Sequence, residues 1–351
     1  MLPAGVNDLD YLATRLHGRR SRLAEGERLE ELCRLPNVPE LGRTVYPESE
    51  FTGAGDFQRR LAQDLVRELS GFPQHLKGAG ADLLAWMLVR FQVENIKVLL
   101  RSIMRRTTAP EEHLVSLPHW LALDVQALSE ADSLQEFTDR LPFDIPRKSL
   151  RRALEIYRDQ PRPFFLEGVL DQGYFQELLA RAERVSRKDY ELIQPIVLQE
   201  VDAFHLLLAV RGKFHYGLTP ESLLPLHVRG SAIPLERFRA MLAAPNIPAA
   251  ATFAVGRAID VVPSEPGASE NSPAADSAVL EGLAWKRFVR LSNRAFRRSH
   301  MGLAAVVGYV GIRRAEVANL VTVSEGILNG AAPERLRARL HPRNDLAPGY
   351  V

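Results

Sequence analysis

Apolar positions recur along most of this chain with the spacing of one helical face, and strict strand-like alternation is scarce. The run from Ala81 to Met104, ADLLAWMLVRFQVENIKVLLRSIM, is apolar on most of its faces, which predicts a helix in the middle of a bundle. A more amphipathic helix is predicted over Asp171–Arg187, with Phe175, Leu178, Leu179 and Ala182 on one stripe. Arg151–Tyr157 and Ser186–Val210 read similarly. Pro195 has no amide proton to donate, so it is expected to start or kink a helix in the last of these. The predicted fold class is all-α.

Within these helices one signature occurs three times at nearly even spacing: VENIKVLLR around Asn95, VDAFHLLLAVR around His205 and AEVANLVTVSEG around Asn319. Each copy sets a polar side chain just before an aliphatic one. An acid lies three residues upstream in two copies (Asp202, Glu316), and an arginine six residues downstream in two (Arg101, Arg211). A recurring period of this kind predicts related structural modules. A polar group on such an apolar helix needs a hydrogen-bond partner, and a buried side chain that fixes helix register is the simplest reading. A ligand site repeated three times is the alternative. Asp202 and Arg211 fall on opposite sides of their helix, so each is expected to reach a different neighbour.

Each module also carries a shorter block upstream: LEELCRLPNVPELGRTVY, LQEFTDRLPFDIPRKSL and IPLERFRAMLAAPNIPAA. In each, a helix is expected to break at proline and resume. The expected organisation is three helical modules, residues 1–112, 113–222 and 223–351, in a ring or funnel where like apolar faces satisfy one another. Residues 260–279, DVVPSEPGASENSPAADSAV, are too poor in large apolar groups to offset their ordering entropy and are expected to form a flexible loop. One short helix is expected after Gly330.

Composition narrows the function. A formal charge of +2 does not argue for a dedicated nucleic-acid binder. The single cysteine, Cys33, excludes an intramolecular disulfide and suggests a reducing compartment. The N-terminus lacks the pattern of a signal peptide, and the apolar stretch Leu303–Ile312 is about half of the roughly 20 residues a membrane span requires. No phosphate-binding loop, zinc motif or nucleophile elbow occurs, so no catalytic, cofactor-binding or metal-binding residue is assigned.

One surface stands out. Trp285–His300, WKRFVRLSNRAFRRSH, carries no acid, and Arg287, Arg290, Arg294 and Arg298 fall on one helical stripe. It reads as a solvated face, a membrane-surface helix, a phosphate-contacting helix or a face for an acidic partner.

Taken with YLATRLHGRR, the block YFQELLARAERVSRKDYELIQPIVLQEVDAFHLLLAVRGKFHYGL and GYVGIRRAEVANL, the triplicate signature resembles the C subunit of archaeal-type and bacterial V-type ATPases. Its equivalent in eukaryotic vacuolar ATPases is the d subunit. The chain departs from that pattern at His205, where the family favours Asn, at Gln92, where an acid is common, and at Glu325, where the first two modules have arginine. The resemblance implies a pseudo-threefold, funnel-shaped helical protein without catalysis or cofactor. It would be one copy per complex, on the cytoplasmic face of a proteolipid ring and in peripheral contact with the membrane. There it would receive the rotor shaft and transmit torque for proton or sodium transport. A helical scaffold of another assembly, and a nucleic-acid-binding helical protein, are the rival readings.

Overall fold

The computed structural model describes residues 8–107, 113–159, 161–262 and 273–341, in which all regular structure is helical apart from one isolated bridge between Val255 and Ile259. The chain opens with α1 (Leu9–Arg20), capped by the Asp8 carboxylate on the Tyr11 amide. The short helices α2 (Glu27–Leu32) and α3 (Val38–Val45) follow, then α4 (Ala54–Ser70) and the long α5 (Gly78–Arg105). Next come α6 (Val125–Ser129), α7 (Leu134–Arg140), α8 (Asp144–Ile156) and α9 (Pro163–Ala182). After these, α10 (Arg187–Ala209) runs into a π-helical stretch over Val210–His215. The rest comprises α11 (Pro220–Leu223), α12 (Leu235–Ala243), α13 (Ile247–Thr252), α14 (Pro273–Ser299), α15 (Leu303–Leu328) and α16 (Pro333–Arg339).

The proline-bearing blocks form the short pairs α2–α3, α7–α8 and α12–α13. In the first and third, an asparagine (Asn37, Asn246) caps the second helix through its side chain, and a proline follows in the first turn. That residue order stops one helix and starts the next, because proline needs no amide partner there.

Of the two expected roles for Pro195, starting its helix is excluded: α10 begins after Ser186, whose hydroxyl accepts from the Asp189 amide, and runs through the proline. One local expectation is corrected. The expected loop over residues 260–279 ends early, because α14 begins at Pro273 and packs Ser277 and Leu280 into the interior. The alanines after Pro273 favour helix, and Leu280 supplies the apolar anchor. Residues 263–272 lie outside the described residues.

The long helices carry the core. Consecutive pairs α4–α5, α9–α10 and α14–α15 pack together, and α9 also packs on α5, α14 on α10 and α4 on α15. The last contact joins the beginning of the chain to its end. There a second apolar cluster, including Leu29, Leu41, Phe57 and Leu61, takes in Leu320 and Val323 of α15. The α14–α15 hairpin is closely packed. A Cβ on Gly308 would lie 2.6 Å from the Ser292 carbonyl oxygen and 2.7 Å from the Phe296 nitrogen, so only glycine lets the two backbones approach.

One stretch, Arg187–His215, is long and apolar enough to span a membrane, with a mean hydropathy of 1.4, but 67% of that window is buried inside the protein. Asp202 and His205 on the same helix are buried and hydrogen-bonded to backbone amides, which marks it as a central core helix.

Candidate docking cavity

The three signature residues make one kind of contact. Asn95 on α5 donates to the Val115 carbonyl at 2.8 Å and accepts from its amide at 2.9 Å. Asn319 on α15 does the same with His341, donating at 3.1 Å and accepting at 2.8 Å. His205 on α10 accepts from the Val228 amide through Nε2 at 2.9 Å. In each case the side chain pins the segment that follows its own helix, satisfying backbone groups that would be costly to bury alone. A neutral imidazole accepting at Nε2 carries its proton on Nδ1, and that atom is buried without a partner. Burial holds the His205 imidazole well below its ordinary titration range, with the adjacent His227 ring, stacked at 4.7 Å, acting in the same direction.

The position three residues upstream also clamps backbone. Gln92 donates to the Leu121 carbonyl at 2.8 Å, Asp202 accepts from the Ile233 amide at 3.0 Å, and Glu316 accepts from the Ala24 amide at 2.6 Å. The third clamp therefore grips the beginning of the chain. Burial raises Asp202 to about 7, against the lowering effect of the Ile233 amide, and burial likewise raises Glu316.

Six residues downstream, each module reaches the helix packed beside it. Arg101 pairs with Glu167 on α9 at 2.6 Å, and Arg211 with Glu281 on α14 at 2.7 Å. In the third module Glu325 accepts from Gln58 on α4 at 2.5 Å. Charge and donor direction are exchanged there, yet the contact remains. Arg211 and Asp202 do not meet; they serve different neighbours.

The first two of these contacts border a cavity of about 480 Å³ lined by α5, α9, α10, α14 and α15. Five residues before each signature residue stand Arg90, Glu200 and Arg314. They converge on this cavity, with the Glu200 carboxylate 2.8 Å from each guanidinium. Burial acts to raise Glu200, but Arg314 and then Arg90 outweigh it and hold the carboxyl below its usual range. Beside this triad Lys97 bridges Asp171 at 2.6 Å and Glu94 at 3.0 Å. Phe164, Phe204, Tyr216, Trp285 and Phe288 supply apolar wall, so the lining mixes paired charge with aromatic surface. Neither Arg90, Glu200 and Arg314 nor Lys97, Glu167 and Glu281 were singled out from sequence. Aligning the three signature copies residue by residue would have marked the first trio, because they share one offset.

The basic stripe on α14 divides in two. Arg287 bonds the Gly256 and Arg257 carbonyls and pairs with Asp260, which also holds Arg290 at 2.7 Å. Arg294 and Arg298 are exposed and make no ion pair among the described residues. Among the described residues no group of three or more His, Cys, Asp or Glu side chains could hold a metal ion.

These features define an all-helical scaffold whose cavity offers surface for contact and shows no reaction centre among the described residues. The chain belongs to the ATP synthase (C/AC39) subunit family, whose model matches residues 12–339, and it is thus a non-catalytic subunit of a rotary ATPase. It is similar to the C subunit of the A-type ATP synthase of Methanocaldococcus jannaschii, 21% identical over 94% of this chain and 85% of that one. The corresponding C subunits from Methanosphaera stadtmanae (20% identity; 89% of this chain, 80% of that one) and Methanosarcina mazei (22%; 68% of each) are also similar.

Proposed function

We propose that this chain is the central-stalk subunit that links the rotor shaft of a rotary ATPase to its membrane proteolipid ring, transmitting torque for proton or sodium transport. In this reading the three modules form a pseudo-threefold funnel, with residues 1–112, 113–222 and 223–351 as its parts. The shaft end enters the cavity, and the opposite end stands on the ring at the cytoplasmic side of the membrane.

The observation that carries the reading is the meeting of Arg90, Glu200 and Arg314 at the cavity, one from each signature helix at the same offset. Equivalent positions converge on one point only near an axis that relates the modules. A body with such an axis offers similar walls to a partner seated along it, and the cavity's paired charges and aromatic rings suit a protein surface of mixed charge. The π-helical end of α10 and the acids Glu167 and Glu281 lie on the same lining.

The test is native affinity purification of the tagged chain from gently solubilised membranes, with partners identified by mass spectrometry. The expected result is recovery of the two large nucleotide-binding subunits, the shaft subunits and a small proteolipid. Recovery of none of them with a well-folded protein would leave a helical scaffold of another assembly.

A further inference from the structure

The starts of α5, α10 and α15 gather at one end of the molecule, away from the cavity-lining residues of α5 and α10. A Cβ on Gly80 would lie 3.3 Å from the Leu303 side chain, and the Ala304 amide donates to Asp189 at 3.3 Å. Lys77 and Lys188 sit at the first two helix starts, and Arg294, Arg297 and Arg298 occupy the last turns of α14 before the third. All five are exposed, and none makes an ion pair among the described residues.

The acids of this end are largely committed. Asp189 accepts from Ser186 and Ala304, Asp82 faces Arg181 and Arg184, and Glu191 faces Arg187. Asp8, which caps α1, and Asp10 and Glu183 remain against the five cations. Two amphipathic or apolar side chains stand out beside them: Met301, 38% exposed, and Tyr11, 53% exposed and against His75.

We propose that this end binds an anionic phospholipid surface, with Lys77, Lys188, Arg294, Arg297 and Arg298 on the headgroups and Met301 and Tyr11 at the interface. Long cationic side chains spread over several helix ends suit a broad sheet of negative charge, and an exposed thioether and phenol suit the headgroup boundary. A single-stranded nucleic-acid site would present successive aromatic platforms along a groove, whereas this end presents one exposed tyrosine. On the stripe's other half Arg287 and Arg290 share Asp260, so the stripe's cations without an ion pair among the described residues, Arg294 and Arg298, lie at this end. The proposal uses the rotary-ATPase reading only for orientation, since it needs no other subunit.

The experiment is co-sedimentation of the purified full chain with phosphatidylglycerol–phosphatidylcholine vesicles and with vesicles of phosphatidylcholine alone. Binding to the anionic vesicles only is expected, with loss at high salt. The triple variant Arg294→Gln/Arg297→Gln/Arg298→Gln should bind at least about tenfold more weakly, while Lys148→Gln/Arg152→Gln on α8 should bind as the parent does. The substituted residues are exposed, and an unchanged circular dichroism melt verifies the fold. No binding to anionic vesicles, equal binding by the triple variant, or displacement from vesicles by stoichiometric single-stranded RNA would overturn the proposal. Co-purification of ATPase subunits is read separately, so either idea can fail without the other.

Discussion

Glu200 and Arg314 face each other at 2.8 Å although they lie on different signature helices, and Arg90 approaches the same carboxylate from a third. The side chains of Glu200 and Arg314 are 6% and 12% exposed, so their pairing happens away from bulk water. Removing the acid leaves two cations facing each other without the carboxylate they share. Glu200→Gln is expected to lower stability by about 3 kcal/mol, read as a shift in the urea midpoint. A midpoint unchanged from the parent would show that the triad is solvated and of little consequence.

Asn95 holds Val115 with both ends of its amide, so Asn95→Leu deletes two hydrogen bonds and strands an amide and a carbonyl. The expected loss is about 2 kcal/mol, visible as faster amide exchange around Val115 than in the parent. Wild-type exchange there together with failed assembly would instead make Asn95 an interface residue.

His205 performs with one ring nitrogen the task that Asn95 and Asn319 perform with an amide. Because burial depresses its pKa, the unfolded chain takes up a proton below about pH 6.5 that the folded chain refuses. Its contribution is therefore present at neutral pH and lost as pH falls. His205→Asn should keep the fold and flatten the decline in melting temperature between about pH 6.5 and pH 4.5. An equally steep decline would assign that sensitivity elsewhere, with His341, lowered to about 4 by burial, the first candidate.

Asp202 has the opposite sign. Its folded pKa of about 7 lies above the ordinary value of 3.8, so the folded state holds a proton that the unfolded state releases. Stability from this group falls as pH rises from about 4 to about 7 and is flat beyond. Asp202→Asn retains an oxygen to accept from Ile233 without the buried charge. At pH 8 it should stabilise the protein by about 2 kcal/mol, measured by denaturant titration. Destabilisation at that pH would mean that the carboxylate is needed ionised.

Gly308→Ala places a methyl against the α14 backbone, which cannot yield as a side-chain tip would. Separating α14 from α15 is expected to cost about 2 kcal/mol, whereas Gly282→Ala, with open space around its Cβ, should be neutral or stabilising. Equal behaviour of the two variants in thermal melts would refute the close packing.

How far the sequence carried the fold depended on the kind of signal. The helices over Ala81–Met104 and Ser186–Val210 were legible because their apolar positions repeat with helical spacing. The breaks inside the three short blocks were legible because proline acts through the local backbone alone, joined in the first and third by a capping asparagine. Pro195 lies inside α10 rather than at its start, because tertiary packing around that helix sustains a turn that local chemistry disfavours. Residues 273–279 misled because their small polar composition resembles a linker, whereas they form the first turns of α14, anchored by the buried Ser277 and Leu280. The cavity was largely invisible. Arg90, Glu200 and Arg314 look like ordinary surface charges until three distant helices bring them together.

The grip of Glu316 on the Ala24 amide, and the packing of α4 on α15, have a consequence for biosynthesis. A chain leaving the ribosome exposes Leu29, Leu41, Phe57 and Leu61 long before Leu320 and Val323 exist to cover them. The N-terminal helices must wait for the last long helix before their apolar cluster closes. Chaperone demand should therefore fall on the nascent segment that carries Leu29, Leu41, Phe57 and Leu61 until α15 has emerged to cover it.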